Sequence, residues 1–173
     1  MNSHEPILKL TILLVIILNV SACAHKKVRP KSPQVSILES YDIDQLLIYH
    51  EGLKLKPYMD GRNKLTIGAG RNLEDLGISK EEALLLLHND IDRVRRELDK
   101  SLPWWRKLSD VRQKVLISMA FNLGMGRLLQ FNRMLSALQD GDYTAAAEEM
   151  LSSVWARQVG TRAIELADMM ENG

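Results

Sequence analysis

Ser79 and Glu82 stand three residues apart at the head of an apolar row, Leu84, Leu87, Ile91, Val94 and Leu98, whose spacing alternates between three and four. A serine ahead of a helix accepts the amide three residues on, and a glutamate at that position can return the bond, so the pair reads as a capping box. The row then puts one apolar stripe along a long helix that Pro103 brings to an end. A stripe of that length needs other elements to cover it. Residues 53–67 alternate around Asp60-Gly61-Arg62-Asn63 and predict a small hairpin, with Lys64-Leu65-Thr66-Ile67 as its returning strand. Tyr41 to Glu51 predicts a short helix, and Gly68, Gly70 and Gly77 mark an irregular loop. Beyond Pro103, Ser109 caps a helix carrying Val111, Val115, Met119 and Leu123, which Gly124-Met125-Gly126 stops. Helical patterns follow at 131–139, 143–152 and 160–171. The expected fold is α+β, mainly α, with a small hairpin lobe and a larger helical lobe.

Charge is unevenly laid out. The formal net charge is +1, but five bases and one acid precede Glu39, leaving 18 bases against 21 acids after it. A body of that balance is not built to bind polyanions, which argues against a nucleic-acid partner. The excess of bases sits behind an apolar run, Leu10 to Ala24, LTILLVIILNVSACA. Fifteen residues fall short of the ~20 that a spanning helix needs, but suit the apolar region of a signal peptide. Val20-Ser21-Ala22-Cys23 resembles the lipobox of bacterial lipoproteins, which implies cleavage before Cys23 and lipid attachment to it. Cys23 is the one cysteine in the chain, so no intrachain disulfide forms, and lipidation would remove an exposed thiol. The domain reading is a signal peptide at 1–22, the lipidated cysteine with a basic, extended linker at 23–38, and a folded body at 39–173. It places the protein outside the cytoplasm, on the periplasmic face of a bacterial membrane, as an outer-membrane lipoprotein.

Within HEGLKLKPYMDGRNKLTIGAG, residues 50–70, two isolated carboxylates and a hydroxyl draw attention: Glu51, Asp60 and Thr66. Local structure offers a use for each, a helix end before Gly52, a turn at Asp60-Gly61, and a β-branched strand residue. A hairpin folding back at 60–63 also lets all three face one cleft between the lobes. Cleavage of a glycosidic bond requires that set of groups. One carboxylic acid protonates the leaving oxygen, and a second carboxylate assists water or stabilises charge on the sugar. A hydroxyl beside the second carboxylate holds the water. No cofactor is implied, and no cysteine-histidine cluster has metal-ligand spacing.

Glu51-Gly52-Leu53, Tyr58, Asp60 and Thr66-Ile67-Gly68 with Gly70 resemble the glutamate-aspartate-threonine motif of the phage-type lysozymes, or endolysins. Asp110-Val111-Arg112 through Leu116-Ile117, Met119, Phe121 and Gly124 resembles that family's central helix, and Trp155 with Arg162 its late Trp/Arg pair. The resemblance covers about residues 39–173. It implies a lysozyme-like fold with the active-site cleft between the lobes, and cleavage with inversion of the β-1,4 bond between N-acetylmuramic acid and N-acetylglucosamine in peptidoglycan. It further implies Glu51 as general acid, Asp60 as the carboxylate that positions or activates water, and Thr66 as the hydroxyl holding it. Arg162 would lie next to Glu51 and would need a competing partner to leave that acid protonated, and Phe121, Asn122 and Phe131 would line the sugar groove. The implied partner is the peptidoglycan glycan strand, met as a monomer tethered to the membrane through its lipid. Two other readings stay open: a lytic transglycosylase, which needs a single glutamate, and a non-catalytic wall-binding lipoprotein. Arg71 follows Gly70 where the family often has histidine, and is expected to pair with Asp90 of the capped helix.

Cys23→Ser is expected to block acyl labelling and leave an unprocessed precursor. A version begun at Glu39 is expected to be soluble and active on isolated walls. A parent protein without acyl label, free in the periplasm, contradicts the anchor.

Overall fold

The computed structural model describes residues 32–173. The apolar run, Cys23 and the basic stretch up to residue 31, on which the signal, lipid and most of the linker readings rest, lie outside the described residues. The described residues fall into two units, one up to Leu53 and one of Lys54–Gly173.

Two helices are described in the first unit. α1 spans Pro33–Leu38, where the composition suggested an extended linker. Ser32 accepts the Val35 amide and Pro33 sits at the first helical position, a start signal that needs no donor from the proline and overrides the polar composition around it. α2 spans Ile43–Glu51, and its start is closed by a reciprocal box between Asp42 and Gln45. Gly52 ends it at φ 75°, a left-handed conformation that a side chain would disfavour, and its amide reaches back to the Ile48 carbonyl at 2.8 Å.

The second unit opens with three short antiparallel strands in the order β1-β2-β3: Lys54–Met59, Leu65–Gly68 and Arg71–Asn72. Pro57, which has no amide to give a ladder, lies on the edge strand β1, whose pairing is irregular between Lys54 and Tyr58. Thr66 is central, opposite Tyr58 on one side and Asn72 on the other. The turn expected at 60–63 closes β1 onto β2, with Asn63 at φ 59° supplying the left-handed residue.

α3, Lys80–Ser101, begins at the predicted box: Ser79 accepts the Glu82 amide and Glu82 Oε2 accepts the Ser79 amide. Glu82 does more than cap. Its other oxygen, Oε1, takes Arg71 Nη1 at 2.8 Å, while Arg71 Nε donates to the Gly77 carbonyl at 2.7 Å. This corrects the expected Arg71–Asp90 pair. Asp90 lies eight residues further along a helix that rises ~1.5 Å per residue, out of reach of a guanidinium held at the helix start, and it pairs with Arg93 instead.

The helical body follows: α4 Asp110–Leu123, α5 Met125–Leu128, α6 Asn132–Asp140, α7 Tyr143–Leu151, α8 Val154–Val159 and α9 Thr161–Asn172. α5 and α8 were not expected. Each is short, and α8 starts from Ser153, which accepts the Ala156 amide. α7 packs on α6 and α9, and α4 on α3, α5 and α9. The core lies among these helices, with Leu98, Val115, Leu116, Met119, Leu128, Met134 and Met150 sealed from solvent. Of the predicted α3 row only Val94 and Leu98 are buried, whereas Leu84 and Leu87 stay 42% and 39% exposed. Only the C-terminal half of the stripe therefore lies in the core.

Leu98→Ala, at 0% exposure, is expected to cost about 2–5 kcal/mol of unfolding free energy in a urea titration, and Leu85→Ala, at 60%, about 0.5 kcal/mol or less. Equal losses would contradict this placement of the core.

Candidate active site

Asp60 is held by the turn it begins. Its Oδ1 accepts the amides of Arg62 and Lys64, each at 2.8 Å, while its own amide donates to the Lys64 carbonyl at 2.9 Å. The turn reading of Asp60 is therefore correct as local structure. It also has an electrostatic consequence. The Lys64 amide first, and the Arg62 amide with it, hold the carboxyl below the ordinary aspartate range against a smaller opposing effect of desolvation. Asp60 is thus an ionised acceptor at neutral pH, with no donor to Oδ2 among the described residues.

Thr66 is 2% exposed, the one buried polar residue among those described. Its hydroxyl donates to the Lys64 carbonyl at 3.0 Å. With the proton spent there, the oxygen is left as an acceptor, able to receive a hydrogen from water. Lys64 consequently links the two side chains, its amide on Asp60 and its carbonyl on both Asp60 and Thr66. This role of Lys64 is not legible in the sequence. Its side chain bonds Glu74 Oε2 at 3.0 Å and Asp75 Oδ1 at 3.4 Å, partners ten and eleven residues away that no periodicity reveals.

Glu51 is the last residue of α2, exposed in its own unit. A helix C-terminus carries partial negative charge, so a carboxylate there adds nothing to helix stability. The helix-end reading explains Gly52 and leaves Glu51 without a structural purpose.

The remaining candidates lie on the helical body. Trp155, 4% exposed, donates from Nε1 to Asn122 Oδ1 at 2.9 Å, so the Asn122 carbonyl has a fixed partner and only its amide group is left for a ligand. Phe131 meets Trp155 edge to face, centroids 6.2 Å apart. Phe131 and Trp155 line a groove of about 680 Å³ whose rim carries Arg127, Gln158 and the ion pair Arg133–Glu149 at 3.1 Å. Apolar walls with a few polar groups are the usual make-up of a ligand site. Phe121 does not line this groove and is 44% exposed on α4. Arg162 Nη2 donates to Ser118 Oγ at 3.0 Å, which supplies the arginine with a partner of its own.

A model of the phage lysozyme family matches residues 49–168, a span that takes in Glu51, Asp60, Thr66, the groove and Arg162. The chain belongs to the phage lysozyme family. The matched region is a lysozyme domain, a peptidoglycan-hydrolysing enzyme of mainly helical α+β fold. It is 29% identical over 157 aligned positions to the pre-baseplate central spike protein Gp5 of Enterobacteria phage T4, covering 75% of this chain but only 27% of that protein. It is also 25% and 24% identical to two probable T4-type lysozymes of Dictyostelium discoideum, covering 76% of this chain and 94% of each of them.

Because the folded-state pKa of Asp60 is lowered, its ionisation stabilises the fold fully above the unfolded-state value and ceases to do so as pH falls through the folded one. The stability difference between the parent and Asp60→Asn is expected to hold steady from pH 7 to about 5 and to shrink below about pH 4. A difference independent of pH would contradict an ionised, amide-held Asp60.

Proposed function

We propose that this lysozyme hydrolyses the β-1,4 bond between N-acetylmuramic acid and N-acetylglucosamine by a single displacement with inversion. In this reading Glu51 gives its proton to the leaving oxygen. Water donates a hydrogen bond to Thr66 Oγ1 and keeps that hydrogen, ionised Asp60 takes its other proton, and the water oxygen attacks the anomeric carbon. The observation that carries the reading is the anchoring of an ionised aspartate and a buried, acceptor-poised threonine on the same residue, Lys64. It is supported by the family match, which spans all three residues.

The aromatic groove at Phe131 and Trp155 is assigned to binding of the substrate, and Asn122, which does not line it, to holding Trp155 in place. Phe121 is exposed enough to add apolar contact. A body with more acids than bases has no net attraction to an anionic wall, so a lipid at Cys23 would keep the enzyme near its substrate in place of charge.

Digestion of purified peptidoglycan is expected to release muropeptides with reducing ends, read by mass spectrometry. Anhydro ends would show transglycosylation and would remove the water-handling role of Asp60 and Thr66. Glu51→Gln keeps the shape of the side chain without a proton to give, and is expected to lower turnover about 100-fold or more with little change in folding. Turnover within tenfold of the parent overturns the general-acid assignment.

A further inference from the structure

We propose that Lys64 and Glu74 form a clasp that positions Asp60 and Thr66, so that both are positioning residues whose loss lowers kcat and leaves KM nearly unchanged. The inference rests on the roles given above to Asp60 and Thr66.

Three sets of bonds converge on residues 64 and 65. The Lys64 amide and carbonyl hold Asp60 and Thr66. The Glu74 carboxylate straddles the segment from outside, one oxygen on Lys64 Nζ at 3.0 Å and the other on the Leu65 amide at 3.2 Å. Glu74 is itself fixed. Its amide and that of Asp75 both donate to Asn72 Oδ1, at 2.9 and 3.0 Å, and Asn72 Nδ2 returns a bond to Asp75 Oδ2 at 2.8 Å. Asn72 pairs with Thr66 across the sheet, and the Leu73 amide bonds the Leu65 carbonyl at 2.8 Å. The clasp is a closed loop of bonds running from Thr66 through Lys64, Glu74 and Asn72 back to Thr66.

Its energetics favour a positioning role over a stabilising one. The Lys64 and Glu74 side chains are 39% and 44% exposed, where an ion pair adds little to global stability. Both ionise readily in the pair: the hydrogen bond from Lys64 lowers the Glu74 pKa, and the bond to Glu74 raises that of Lys64. Asp75 adds to the attraction on Lys64, and Asp60 slightly opposes the ionisation of Glu74. Displacement by ~1 Å of a group that orients a reacting water is enough to cost one to two orders of magnitude in rate. Substrate contacts away from 60–66 are not touched, which is why affinity is spared.

The test uses the full chain on soluble peptidoglycan fragments, with kcat, KM and the thermal midpoint measured for Lys64→Met, Glu74→Gln, Lys64→Arg, Thr66→Val and the double variant Glu74→Gln/Thr66→Val. Lys64→Met and the isosteric Glu74→Gln are expected to lower kcat about tenfold, with KM within twofold and near-parental midpoints, and Lys64→Arg to recover most of the rate. Thr66→Val is expected to be slow but measurable, and Glu74→Gln is expected to cost clearly less in that background than in the parent, because one of the two groups it positions is gone. Parental kcat in Glu74→Gln, with Thr66→Val slow, overturns the clasp alone. So does a Glu74→Gln loss that is undiminished in the Thr66→Val background, or one that merely follows the folded fraction. Parental kcat in Thr66→Val overturns the Thr66 reading itself, and the clasp with it.

Discussion

The carboxylate of Glu82 is divided between a helix and a strand, and the join between the sheet and the helical body depends on the division. One oxygen closes the N-terminus of α3 through the Ser79 amide, and the other holds Arg71 of β3. A helix start has amides without intrahelical partners, so a capping glutamate is already committed to a fixed place. Giving its second oxygen to a strand residue turns a local cap into a tertiary contact. Ile67, opposite Arg71, and Thr66, opposite Asn72, are thereby tied to the first turn of α3.

From that join the polar order continues into the turn. Asn72 fixes Glu74, Glu74 fixes residues 64 and 65, and Lys64 fixes Asp60 and Thr66. The sheet has little apolar core of its own, with Leu55 and Met59 exposed and Thr66 its one buried side chain. Hydrogen bonds therefore carry a larger part of its definition than they do in the helical body, where Leu98, Leu116 and Met119 are sealed by packing. A small lobe organised by directional bonds suits a task in which the placement of one water molecule matters.

What the sequence disclosed follows from the range of each interaction. The α3 cap and the hairpin turn were legible because Ser79 with Glu82, and Asp60 with Asn63, act within four residues. The helical body was legible from periodicity. Periodicity names the residues that share a face and says nothing of what covers it, so the exposure of Leu84 and Leu87 could not be foreseen. α1 runs against the basic, proline-rich composition around it, because Ser32-Pro33 is a start signal that acts within one turn. The partners of Arg71 and Lys64 depend on how an irregular loop closes, and an ion pair eleven residues apart leaves no mark in a sequence. At the site itself, motif resemblance picked out Glu51, Asp60 and Thr66, while the bonding that makes Asp60 an ionised acceptor and Thr66 a poised one emerged only from the fold.

The most direct measurement of the central claim, that a water held at Thr66 and activated by Asp60 attacks the sugar directly, is the anomeric configuration of the first product, read by proton NMR before mutarotation. Direct attack by water on the face opposite the leaving group predicts that the newly formed N-acetylmuramic acid reducing end appears first as the α-anomer. A β-anomer as the first product would mean retention, requiring a double displacement, and would contradict the roles given to Asp60 and Thr66.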